Sequence, residues 1–130
     1  DTKWGKMGLC ICYDFRFPEL ARLMVNLGAK IILVPAAFNM TTGPLHWELL
    51  FQSRAVDNQV FTIGTAPARN LNASYHSYGH SIIVSPWGKI LNQADFEETA
   101  LFTTINLNLV REQIPLLRHR RLDIYELTQK

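Results

Sequence analysis

Two continuous apolar runs, Met7 to Cys12 and the β-branched stretch Lys30-Ile31-Ile32-Leu33-Val34, flank a segment whose apolar residues recur every three or four positions. This arrangement constrains the chain more than any other feature. Runs that are apolar without alternation suit short strands covered on both faces. Between them, Pro18 fits the first position of a helix, Leu20, Leu23, Met24 and Leu27 share one face, and Gly28 ends it. Pro35 stops the second strand. The unit is therefore read as β-α-β with parallel strands, and the fold class as α/β.

The rest of the chain continues the pattern. Thr41-Thr42-Gly43-Pro44 is a loop leading into a second helix, about His46 to Asp57, with Leu49, Leu50, Ser53 and Val56 expected inward. Gln59 to Ala66 reads as a third strand, and the Asn-, Ser- and Tyr-rich stretch Arg69 to Tyr78 reads as a loop. Ser81 to Val84 and Lys89 to Leu91 flank Pro86-Trp87-Gly88 as a hairpin, and Ala100 to Ile105 is expected to add another strand. A short helix from about Leu107 is stopped near Pro115. No internal repeat is seen.

With 130 residues, 48% of them apolar and 18% charged, the chain can bury one substantial core. The formal charge of +2 and the isolated basic run Arg118 to Arg121, without interleaved aromatics, argue against nucleic-acid binding. No stretch approaches the roughly 20 apolar residues of a membrane span, and no signal-peptide pattern opens the chain. Cys10 and Cys12 are too close in sequence for a stabilising disulfide loop, which suits a reducing compartment: the cytoplasm, with the mitochondrion as the alternative. Asp rather than Met stands first, with an apolar segment close behind, so the chain reads as cut from something longer.

A cysteine at the carboxyl end of a buried strand, followed at once by a turn into a helix, sits where α/β folds place reactive groups. Cys12 is the candidate nucleophile, and the Tyr13 amide can offer a donor to an oxyanion formed there. Burial as a small apolar core residue is the commoner fate of a cysteine, and spacing alone does not choose between the two readings. Cys10 shares the side-chain direction of Cys12 in a regular strand, but no second pair follows and the histidines at 46, 76, 80 and 119 lack ligand spacing, so no metal is expected. His46 or His80 as the base of a Cys-His pair is conceivable, and sequence does not fix that contact.

The segment Gly8-Leu9-Cys10-Ile11-Cys12-Tyr13-Asp14-Phe15-Arg16-Phe17-Pro18-Glu19-Leu20 closely resembles the nucleophile motif of the nitrilase superfamily, in which the cysteine directly before Tyr-Asp is the nucleophile. The resemblance continues through Val34 to Asn39, Thr41 to Pro44, His46 to Leu50, Arg54-Ala55, Asp57-Asn58, Gly79 to Ser81, Pro86 to Gly88 and Arg121 to Tyr125. The Phe-Asn-x-Thr-Thr-Gly-Pro-x-His-Trp-Glu block is most similar to the omega-amidase branch, whose members deamidate short α-keto acid amides such as α-ketoglutaramate.

The resemblance implies an α-β-β-α sandwich, a homodimer or larger assembly, a small-molecule amide substrate, and a Cys-Glu-Lys catalytic set with no cofactor. It assigns Cys12 as nucleophile, Arg16 to the substrate carboxylate, Phe38 as an apolar wall of the pocket and Thr42 as a hydroxyl donor. Asp14, Arg54 and Asp57 fall to a structural polar set beneath the site. The glutamate and lysine belong to motifs of the N-terminal half, which these residues do not match. The chain is thus expected to be the C-terminal portion of a single carbon-nitrogen hydrolase domain, with the N-terminal half absent, and inactive alone. Two other readings stay open: an amidase of the same superfamily acting on a carbamoyl or longer amide, and a non-catalytic fragment that pairs with a partner.

Overall fold

The computed structural model describes residues 1–110 and 115–129. Its strands are β1 (Met7–Leu9), β2 (Ile31–Pro35), β3 (Phe61–Thr65), β4 (Ile82–Val84) and β5 (Ile90–Gln93), joined in that order into one sheet. The first three run parallel, and β4 and β5 are each antiparallel to their predecessor. Helix α1 (Pro18–Asn26) crosses from β1 to β2, and α2 (Gly43–Asn58) from β2 to β3. The α/β class and the parallel β-α-β unit expected from the sequence are both present.

Both helices lie on one face. A Cβ at Gly8 would come within 2.7 Å of the Met24 sulfur in α1, and one at Gly64 would run into the Phe51 ring of α2. The sheet leaves no room for a side chain at either position, so the helices pack close. Gly8, Ile32, Thr62 and Val84 form one cross-strand row on this face, and Thr62 Oγ1 donates to the Phe51 carbonyl at 2.9 Å. The next row, Leu9, Leu33, Ile63 and Ile83, points the other way by strand alternation. There Leu9 is 65% exposed and Leu33 and Ile63 are only half-buried. One face covered by helices and one apolar, partly bare face are what the α and β layers of one half of an α-β-β-α sandwich present.

Five expectations need correction. The buried side of α2 is Trp47, Phe51, Arg54, Ala55 and Asn58, while Leu49 and Val56 face solvent. In α1 the fully buried residues are Ala21 and Val25; Leu20, Leu23 and Met24 are half-buried and Leu27 is exposed. The α2 helix begins at Gly43, with Pro44 in its first turn, and Gln59 ends it in the left-handed conformation at φ 52° rather than opening β3. Residues 100–105 form no strand and join no ladder; Phe102 is 86% exposed and its carbonyl accepts from Asn92 Nδ2. The helix expected from Leu107 is a single 3-10 turn at Leu107–Leu109, and the remainder lies largely outside the described residues.

Among the described residues no helix is long and apolar enough to cross a membrane. Arg120, in the basic run, folds back to donate to Asn26 Oδ1 and the Leu117 carbonyl, and Arg121 pairs with Asp123.

Candidate active site

After β1 the Cys10 amide still pairs with the Leu33 carbonyl, and then the backbone leaves the sheet. Cys12 adopts φ 48°, a conformation that costs a non-glycine residue about 1–3 kcal/mol and persists only where its surroundings enforce it. They do so from both sides. Asp14 accepts from the Ile11 amide through its carboxylate at 3.2 Å, which locks the start of the 3-10 turn Cys12–Arg16. Phe15, 1% exposed, anchors the middle of that turn in the core against Phe51, ring centres 4.7 Å apart. The packing continues from Phe51 to Trp47 (4.7 Å) and edge-on from Trp47 to Phe38 (5.1 Å). A string of aromatic rings thereby couples the turn carrying Cys12 to the opposite wall of the site. Each such ring contributes roughly 1.5–3 kcal/mol by burial.

Between these walls lies an open cavity of about 420 Å3. All five residues singled out in the sequence, Cys12, Tyr13, Arg16, Phe38 and Thr42, line it, together with Ala37, Asn39 and Tyr75. Cys12 is half-buried, whereas Cys10 is 5% exposed. Burial, with the Asp14 carboxylate adding to it, pushes the Cys10 thiol up to about 11. Only one of the two sulfurs is therefore presented to the cavity, and the other is held as an inert thiol. Tyr13 is 66% exposed with its ring edge-on to Phe17, and its amide belongs to the leading N–H groups of the turn, which have no acceptor within it.

Arg16 lays its guanidinium over the Phe38 ring at 4.6 Å and over Tyr13 at 5.5 Å. Its Nη1 meets His46 Nδ1 at 3.1 Å, and Arg54 Nη2 donates to its backbone carbonyl at 2.9 Å. Arg54 also stands 3.9 Å from Asp57, so this part of the expected polar set does lie behind the site, while Asp14 acts on the turn itself.

Thr42 is less free than its residue type suggests. Its hydroxyl donates to Asn39 Oδ1 at 3.0 Å, and the same oxygen accepts from the amides of Thr41 and Thr42. With the proton engaged by Asn39, the Thr42 oxygen keeps its lone pairs for an incoming donor. Asn39 and Tyr75 were not picked out in the sequence. Tyr75 comes from the loop between β3 and β4 and donates through its hydroxyl to the Ala37 carbonyl at 2.6 Å, closing the rim. An Asn followed two and three residues later by Thr before a helix is a turn signal that could have flagged Asn39. Nothing local marks Tyr75.

The other candidates fall elsewhere. His80 stacks on Tyr78 with ring centres 4.0 Å apart and faces Asp95 at 3.6 Å, so neither it nor His46 lines the cavity with Cys12. Glu48 accepts from Gln93 at 2.8 Å, and Glu19 borders a different cavity beside Arg22 and Arg120. Among the described residues no group of three or more His, Cys, Asp or Glu is placed to hold a metal ion. The lining contains one cation, one thiol and no carboxylate or lysine.

This architecture has known counterparts. The family model for carbon-nitrogen hydrolases matches residues 1–115. Omega-amidase NIT2-A of Xenopus laevis is 51% identical over 133 aligned residues, which take in 100% of this chain and 48% of the relative. The crystal structure of Saccharomyces cerevisiae Nit3, a member of branch 10 of the nitrilase superfamily, superposes with a TM-score of 0.84 at 52% identity, covering 93% of this chain and 46% of that one. A mutant amidase from Nesterenkonia with an acetamide moiety covalently added at its active-site cysteine superposes at 0.73 with 25% identity, over 92% of this chain and 43% of that chain. The chain thus spans about half the length of the relatives it matches. By the extent of that match, it belongs to the carbon-nitrogen hydrolase family.

Proposed function

We propose that this chain carries the nucleophile and the substrate-binding half of an omega-amidase, the C-terminal portion of a domain whose N-terminal half supplies the glutamate and lysine. The observation that carries the reading is the placement of Cys12 and Arg16 on one 3-10 turn, both lining the same cavity of about 420 Å3. A thiol and a guanidinium facing one cavity suit a small substrate with an amide at one end and a carboxylate at the other. Similarity to proteins described as omega-amidases supports the same choice.

In this reading the glutamate takes the Cys12 proton, the sulfur attacks the amide carbon, and the Tyr13 amide and the lysine stabilise the oxyanion. The protonated glutamate returns its proton to the departing nitrogen, ammonia leaves, and a thioester remains on Cys12. Water, deprotonated by the same glutamate, then cleaves the thioester and restores the thiol. Arg16 meets the substrate carboxylate with two parallel hydrogen bonds, Phe38 backs the carbon chain, and the Thr42 oxygen takes a polar contact.

The test is ammonia release by the complete protein from α-ketoglutaramate, compared with N-carbamoyl compounds. Preference for α-ketoglutaramate is expected, together with a roughly 10- to 100-fold loss of kcat/KM in Arg16→Ala, the loss typical of a charge-assisted pair. Preference for the carbamoyl compounds would overturn the choice of branch.

A further inference from the structure

The proposed role of Arg16 leaves open what fixes its orientation. The rings of Phe38 and Tyr13 hold the guanidinium plane but leave it free to turn within that plane, because the attraction of a cation to a ring face has little in-plane direction. The one directional contact on the guanidinium among the described residues is Nη1 to His46 Nδ1 at 3.1 Å. Arginine has only donors, so Nδ1 accepts and the ring proton of neutral His46 sits on Nε2. The Nε and Nη2 donors of Arg16 have no partner among the described residues, and they form the edge that matches the two oxygens of a carboxylate.

His46 itself is held. It lies in the first turn of α2, its amide donating to the Thr42 carbonyl at 2.8 Å, next to Trp47, which is wholly buried and donates to the His80 carbonyl at 2.7 Å. The imidazole is thus placed by a helix whose start is pinned to the core.

We propose that His46 is a positioning residue: by accepting from Nη1 it sets the in-plane rotation of Arg16 and presents the Nε–Nη2 edge to the substrate carboxylate. This rests on the reading of Arg16 as the carboxylate-binding residue. His46 does not line the cavity with Cys12, so its loss acts on recognition of the carboxylate end.

The experiment uses the complete protein and two substrates, α-ketoglutaramate and a neutral amide of equal length, with the ratio of their kcat/KM values as the readout. His46→Phe keeps a ring and removes the acceptor, whereas His46→Asn keeps an acceptor near the position of Nδ1. The ratio is expected to fall roughly 3- to 30-fold in His46→Phe, mostly through KM for α-ketoglutaramate, and to recover to within about 3-fold in His46→Asn. Equal losses on both substrates in both variants, as a purely structural role predicts, would overturn the proposal. Arg16→Ala separates the two readings. If it collapses the ratio while His46→Phe does not, the proposal for His46 alone fails; if Arg16→Ala leaves the ratio intact, both fail.

Discussion

Arg54 donates from α2 to the backbone carbonyl of Arg16 at 2.9 Å, so a buried cation grips the last residue of the turn that begins with Cys12. The guanidinium is only 8% exposed, burial lowers its affinity for its proton, and its compensation is thin: Asp57 at 3.9 Å on a solvent-facing carboxylate, and Nε without a partner among the described residues. Arg54→Met in the complete protein keeps the volume and removes the donor. Unfolding free energy is expected to drop by about 1.5–3 kcal/mol, the range for a hydrogen bond to a charged group. Chemical denaturation measures it; an unchanged value would mean that the desolvation cost of the guanidinium cancels the bond.

Cys12 and Cys10 should differ sharply as targets. Cys12 lines the open cavity, while Cys10 is nearly inaccessible and its thiol is pushed up to about 11. At pH 8 only about one Cys10 in a thousand is thiolate. Iodoacetamide at that pH is expected to label Cys12 first, read by peptide mass, and Cys12→Ala to abolish turnover in the complete protein while Cys10→Ala retains it. The reverse pattern would remove Cys12 from its assigned role.

The Cys10 thiol also couples folding to alkaline pH. Its folded value of about 11 lies above the ordinary thiol value of 9.0, because burial disfavours the thiolate and the Asp14 carboxylate adds to that. The folded state therefore holds its proton longer than the unfolded one, and the corresponding stability is intact below about pH 9 and lost as pH rises towards 11. Cys10→Ala is expected to flatten the fall in stability between those values relative to the parent. Two parallel curves would show that Cys10 does not titrate differently on folding.

The sequence made the site more legible than the helix faces. Cys12 to Arg16 is contiguous, and its strand-turn-helix setting follows from the apolar run and Pro18, so the whole turn could be placed from local information. Phe38 and Thr42 lie farther along the chain and came from the resemblance alone. For α2 the pattern points inward through Leu49, Leu50, Ser53 and Val56, but the helix buries Trp47 and Phe51 with Arg54 and Asn58 beneath them. Two polar residues inside the true stripe disguise it, since Arg54 is kept by the Arg16 carbonyl and Asn58 by a bond to the Arg54 carbonyl. Residues 101 to 106 do alternate between half-buried and exposed, so the period of two was real; what the pattern does not contain is a partner strand. Tyr75 and the His46 contact depend on tertiary closure, with sequence separations of 38 to Ala37 and 30 to Arg16.

The chain of 130 residues is expected to release no ammonia from α-ketoglutaramate on its own, although it holds the cysteine and the proposed carboxylate site. Near neutral pH a cysteine needs a placed base or cation to deliver thiolate, and acyl transfer then needs a proton for the departing nitrogen. The residues lining the cavity with Cys12 include no carboxylate, histidine or lysine. The nearest candidates by sequence are engaged elsewhere: Asp14 with the Ile11 amide, Glu19 beside another cavity, His46 with Arg16 and Glu48 with Gln93. Arg16 carries a charge but, having donors only, cannot act as a base. The exposed Leu9 and half-buried Leu33 and Ile63 on the free sheet face add a second expectation, that the isolated chain self-associates. Ammonia assays on the purified chain and on the complete protein, with sedimentation of both, check the two together. Turnover by the chain at the rate of the complete protein would locate the base within these residues, and Glu19→Gln, Glu48→Gln and His46→Asn would then identify it.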